Sequence, residues 1–103
     1  MPDIYVLGGV NMDYVVSLSQ LPETGETIKG NDLLVNPGGK GGNQAVGCAK
    51  LGGSVYMVGN VGNDNAGKEL LSVLSNYGVK TDYLGQLDSE HTGTALIFVD
   101  PDG

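Results

Sequence analysis

The stretch Pro37-Gly38-Gly39-Lys40-Gly41-Gly42-Asn43-Gln44-Ala45-Val46-Gly47-Cys48-Ala49-Lys50-Leu51-Gly52 changes character halfway along. Four glycines surround one lysine, and then Ala45, Cys48, Ala49 and Leu51 recur at helical spacing. This predicts a glycine loop opening into a helix over 43–51, with Gly52 just past its C-cap. The helix presents small residues, which let its axis approach a sheet closely. Val55-Tyr56-Met57-Val58, which follows, suits a buried strand, so loop, helix and strand succeed one another as in an α/β protein.

Beyond that strand a second helix is predicted over 66–77, capped by Asp64 or Asn65. Leu70, Leu71, Val73, Leu74 and Tyr77 face the core and Gly78 closes it. Towards the N-terminus, Ile4-Tyr5-Val6-Leu7 is an unbroken apolar run ended by Gly8-Gly9, the pattern of a central strand covered on both faces. Residues 13–18 are rich in β-branched and aromatic types, Leu21-Pro22-Glu23-Thr24-Gly25 reads as a turn, and 26–35 resume a strand pattern broken at Gly30-Asn31-Asp32. Residues 13–36 are therefore expected to form a small antiparallel meander. Residues 92–99 make a further strand, running into the turn Asp100-Pro101-Asp102-Gly103 with no returning strand. Because open sheets avoid an unpaired apolar edge, the 103 residues are expected to be a fragment of a longer protein.

The length allows one modest core, and 40% hydrophobic with 17% charged residues argues for a globular chain. Twelve acidic residues against five lysines and no arginine give a net charge of -7, which disfavours nucleic acid as a partner. The apolar stretches are only four to six residues long and Asp3 stands where a signal peptide carries positive charge, so neither membrane spanning nor export is expected. The single Cys48 suits a reducing cytoplasm. Glycine is the outlier, 18 of 103 residues, with pairs gathered at element ends where backbone comes close to something else.

Three segments could carry chemistry. Residues 62–69, Gly-Asn-Asp-Asn-Ala-Gly-Lys-Glu, approach the phosphate-binding pattern GxxxxGK[ST], but Glu69 replaces the hydroxyl that ligates magnesium and Asp64 adds charge against phosphate. A capped helix start is the better account. No GxGxxG fingerprint occurs, since Gln44 stands where its last glycine would be. The second segment is the glycine loop, whose backbone amides and helix N-terminus favour a ligand over a merely flexible connection. The third is Asn11 and Asp13, two apart after Gly8-Gly9, so that both project to one face of an extended strand. A carboxylate that accepts and an amide that both donates and accepts suit vicinal hydroxyls of a polyol; a strand-end Asx turn is the alternative. His91 reads as a solvated turn residue and Cys48 as core packing.

Gly8-Gly9-Val10-Asn11-Met12-Asp13, Pro22-Glu23-Thr24-Gly25-Glu26-Thr27 and Gly38-Gly39-Lys40-Gly41-Gly42-Asn43-Gln44-Ala45-Val46 together resemble the N-terminal part of the PfkB carbohydrate kinase family, in its ribokinase branch. The similarity continues through residues 49–52, 59–67 and 92–97, and so spans 1–103. It implies the N-terminal portion of a ribokinase-like Rossmann-type α/β/α sandwich with a small β-sheet lid. The lid would be discontinuous, built from 13–36 and 91–103, closing over the sugar and mediating a homodimer. The resemblance makes Asn11 and Asp13 ligands of sugar hydroxyls, adds Gly39, Lys40 and Asn43 from the glycine loop, and places Ala95 on the lid side of the pocket. It implies ATP-dependent phosphorylation of D-ribose to ribose 5-phosphate with Mg2+ and a monovalent cation such as K+. Fructose or a nucleoside is an alternative substrate, and a non-catalytic sugar-binding or self-associating module an alternative function. The family's catalytic and nucleotide segment, ending in Gly-Ala-Gly-Asp, does not occur in 1–103, so these residues alone are expected to be inactive.

Overall fold

A computed structural model describes residues 2–103. In chain order the elements are β1 (Asp3–Leu7), β2 (Asn11–Ser17), β3 (Leu33–Gly38), α1 (Lys40–Lys50), β4 (Ser54–Gly62), α2 (Asn65–Asn76), β5 (Lys80–Leu87) and β6 (Gly93–Val99). They form two three-stranded sheets, β1-β4-β5 and β3-β2-β6. The first is wholly parallel, with Ile4 opposite Val55 and Val6 opposite Met57; its crossovers are α1 and α2. In the second, β2 runs antiparallel to β3 and parallel to β6.

The core lies between the helices and one face of the parallel sheet. Alternation along β4 sends Val55 and Met57 inward, both fully buried, against Ala45 of α1 and Leu70 and Leu74 of α2. Tyr56, pointing the other way, stacks on Tyr5 at 5.0 Å between ring centroids and lies 5.4 Å from Tyr83. This aromatic ladder marks the face that the helices leave open. The expectation that residues 4–7 form a central, doubly covered strand is therefore corrected. Within the described residues β4 is central, β1 is an edge, and Tyr5 and Leu7 are 53% and 74% exposed. An apolar run is compatible with burial on both faces but does not say which neighbours supply it.

Helix α1 starts at Lys40, three residues earlier than its side-chain pattern predicts. Gly41 and Gly42 form its buried first turn, because a Cβ on Gly41 would come within 2.9 Å of the Gly8 backbone. The amide of Gly42 donates to Gly9 O at 3.1 Å, which seats the helix start on the β1–β2 turn. Helix α2 matches its expected span, and Asp64 rather than Asn65 caps it by accepting from Gly67 N at 2.8 Å. The meander expected over 13–36 is a single antiparallel pair, β2 with β3; residues 18–32 form no strand, as Pro22 and the positive φ of Gly25 break the pattern. The strand at the chain's end, β6, pairs with β2 on its other side. Strand β5 has no counterpart in the sequence reading, since Leu84 is its only buried residue.

Candidate functional site

After β1 the chain leaves the first sheet at Gly8-Gly9 and enters the second as β2, which carries Asn11 and Asp13 at its start. Pairing fixes what flanks them. Asn11 lies opposite Gly38 on β3 and Gly93 on β6, while Asp13 lies opposite Asn36 and Ala95. Residues in register share a face, so these six positions make one patch, with the two half-buried polar side chains in its middle row. Asn11 Nδ2 donates to Asp13 Oδ1 at 2.6 Å, which holds the carboxylate in one orientation. Among the described residues no further hydrogen bond engages Asp13 Oδ2 or Asn11 Oδ1, so both remain acceptors for incoming hydroxyls.

The glycine loop closes over this pair. A Cβ on Gly38 would collide with the Asp13 carboxylate, and one on Gly39 would come within 2.8 Å of Asn11 Oδ1. Gly39, at φ 92°, is also the N-cap of α1, where no side chain caps the helix. The positive end of α1 is thus aimed at the turn carrying the amide and carboxylate. Of the residues singled out in the sequence, Asn11, Asp13, Gly39 and Ala95 are brought together. Lys40 and Asn43 sit on the adjoining first turn of α1, both exposed; Asn43 lines a separate shallow recess of about 240 Å³ with Asn36, Pro37, Val46 and Tyr77. Asn36 was not singled out in the sequence, because only strand register places it beside the pair.

A larger hollow of about 380 Å³ lies towards the other end of β2, lined by Val16, Leu18, Ile28, Leu33 and Phe98 among others. It contains none of the candidate residues; Asn31 and Asp32 are the polar groups in its otherwise mainly apolar wall.

The segment 62–69 is occupied with structure instead of phosphate. Asp64 Oδ1 accepts from Gly67 N at 2.8 Å and from Thr92 Oγ1 at 2.5 Å, and its Oδ2 accepts from Thr92 N at 2.9 Å. The Thr92 hydroxyl, then its amide, then the Gly67 amide hold the Asp64 carboxyl down at about 2 against an ordinary 3.8, with His91 adding a smaller effect of the same sign. These residues do not fit a nucleotide: the Asp64 carboxylate takes the Gly67 amide that a phosphate would need, and Glu69 brings no metal-ligating hydroxyl. Among the described residues no group of three His, Cys, Asp or Glu side chains is placed to hold a metal ion. Likewise, none of their helices is long and apolar enough to cross a membrane.

The family model described as pfkB family carbohydrate kinase matches residues 1–103. The chain belongs to the PfkB carbohydrate kinase family. It is 45% identical over 97 residues to the ribokinase of Bacillus subtilis (strain 168), an alignment covering 94% of this chain and 33% of that protein. Its fold superposes on Arabidopsis thaliana ribokinase complexed with ribose and ATP with a TM-score of 0.91 at 38% identity, covering 99% of this chain and 33% of the other. A nucleoside kinase from Methanocaldococcus jannaschii, an archaeal member of the ribokinase family, gives a TM-score of 0.85 at 31% identity, covering 100% and 33%. The chain spans about a third of the length of the curated relatives it matches. As a PfkB chain it has the ribokinase-like α/β fold.

Proposed function

We propose that this chain is the sugar-positioning part of a PfkB-family kinase that transfers the terminal phosphoryl group of ATP to the primary hydroxyl of D-ribose. The observation that carries the reading is the hydrogen-bonded Asn11–Asp13 pair beneath Gly38-Gly39. Asp13 accepts two sugar hydroxyls and Asn11 both fixes that carboxylate and offers its own oxygen. Lys40 and Asn43 on the first turn of α1 complete the polar edge, and Ala95 of β6 closes the apolar side from the lid. What these residues contribute is orientation: they hold the acceptor hydroxyl at one place, so that transfer becomes effectively unimolecular. The nucleotide with its Mg2+, a monovalent cation such as K+, and the group that takes the hydroxyl proton would be held by residues outside these 103, since the 62–69 segment does not fit a nucleotide and, among the described residues, no group of three His, Cys, Asp or Glu side chains is placed to hold a metal ion.

The lid also supports self-association. Leu33, Leu96 and Phe98, which register and strand alternation put on the face of this sheet opposite Asn11 and Asp13, expose large apolar side chains, and a homodimer through that face would cover them.

The test is to express the protein from its whole gene and measure ATP-dependent phosphorylation of D-ribose, deoxyribose, fructose and a nucleoside. The reading expects the highest kcat/KM for D-ribose. Preference for a nucleoside would move the substrate to that of the archaeal relative, and no turnover on any of them would overturn the kinase reading.

A further inference from the structure

Thr92 is the one polar residue in the buried set, 4% exposed, and every polar group it has is engaged. Its amide donates to Asp64 Oδ2, its hydroxyl donates to Asp64 Oδ1 and accepts from Gly62 N at 2.9 Å, and its carbonyl accepts from Thr94 Oγ1 at 3.1 Å. The residue lies where the chain crosses from the parallel sheet into the lid, immediately before β6. A second tie holds the same crossing at its other end, where Asn63 Nδ2 donates to Asp88 Oδ1 at 2.6 Å. The connection fits too tightly to slide, since a Cβ on Gly62 would meet Glu90 O, His91 C and Thr92 N within 2.8 Å.

The residue after Thr92 is Gly93, which pairs with Asn11, and a Cβ added there would come within 3.2 Å of the Asn11 Cβ. Asp64 is therefore two contacts from the candidate sugar ligands, through Thr92 and Gly93. Helix capping needs only one of its oxygens; the other is given wholly to the lid strand.

We propose that Asp64 and Thr92 form a latch that fixes the register of lid strand β6 against β2, making Asp64 a positioning residue for the sugar site. The proposal rests on the sugar-kinase reading above. Sliding or tilting β6 would move Gly93 and Ala95 relative to Asn11 and Asp13, and so change the pocket without touching its polar groups. A cap alone would make no such demand, because serine caps a helix about as well as aspartate does.

That difference supplies the test. In the protein expressed from its whole gene, Asp64→Ser keeps a capping oxygen and loses the two-oxygen grip on Thr92; Thr92→Val removes the hydroxyl at constant shape; Thr92→Ser restores it. The latch predicts that Asp64→Ser and Thr92→Val each raise the KM for sugar about five- to tenfold, the scale of a lost hydrogen bond to a charged group felt one step away. The KM for ATP should stay within about twofold, Thr92→Ser should stay near wild type, and the double variant should be no worse than the poorer single one. Equal change in both KM values, or none in that for sugar, would reduce Asp64 to a helix cap and overturn the proposal. Hydrogen exchange at the Thr92 and Thr94 amides reads the latch without activity. If the wild type phosphorylates no sugar the functional reading fails, whereas unchanged protection in Asp64→Ser shows that the latch itself is absent.

Discussion

Asn11 Nδ2 and Asp13 Oδ1 lie 2.6 Å apart on neighbouring same-face positions of β2, so the amide is spent on orienting the carboxylate. The consequence is a division of labour within two residues. Asp13 keeps one oxygen unbonded within the chain, and Asn11 keeps its carbonyl. The strands on either side supply glycine, alanine and one further amide, so the space above the pair remains open.

Replacing Asn11 by Asp tests this directly. Two carboxylates this close repel, which raises the pH at which the second of the pair loses its proton. Sugar affinity of Asn11→Asp should fall about tenfold at pH 8 and recover on acidification, when the shared proton restores the bond. A pH profile of the sugar KM that parallels the wild type would show that the pair does not work as a unit.

Gly39→Ala should be costly and its neighbour on the helix a contrast. Alanine at φ 92° costs about 1–3 kcal/mol in backbone strain, and its Cβ would lie 2.5 Å from Gly9 O. Thermal unfolding should drop by several degrees and the sugar KM should rise. At Gly47, exposed on α1 with nothing near a new Cβ, alanine should stabilise by about 0.5–1 kcal/mol and leave the KM alone. Equal effects at the two positions would contradict a specific role for Gly39.

Asp64 gives a pH dependence with a definite sign. Its folded pKa is lowered from 3.8 to about 2, so the unfolded chain binds the proton more readily. The stability it contributes is fully present above about pH 4 and is lost as pH falls towards about 2. Urea unfolding followed from pH 5 to 2 should show a steeper loss in the wild type than in Asp64→Asn. Parallel curves would show that the carboxylate is not held by Thr92.

Much of this was legible in the sequence, and the parts that were not share a cause. Helix α2 declared itself through Leu70 and Leu74 at helical spacing and a cap at Asp64 or Asn65, all of them local signals, and the structure settles the cap as Asp64. The Asn11–Asp13 pair was legible because a spacing of two fixes a shared face. The start of α1 was hidden because Gly41 and Gly42 carry no side-chain pattern, and β5 because only Leu84 is buried. The position of β1 at an edge depends on which strands neighbour it, which an apolar run does not encode. The bond between Thr92 and Asp64 gave no local signal, because the two lie 28 residues apart and it exists only once α2 and β6 are both in place.

The central claim is that Asp13 binds the sugar, and calorimetric titration of D-ribose into the protein expressed from its whole gene tests it most directly. Asp13→Ala should weaken ribose binding by about 1.5–3 kcal/mol, roughly 10- to 150-fold, while nucleotide binding is unchanged. Ribose affinity equal to wild type in a folded Asp13→Ala protein, or equal losses for ribose and nucleotide, would contradict the account.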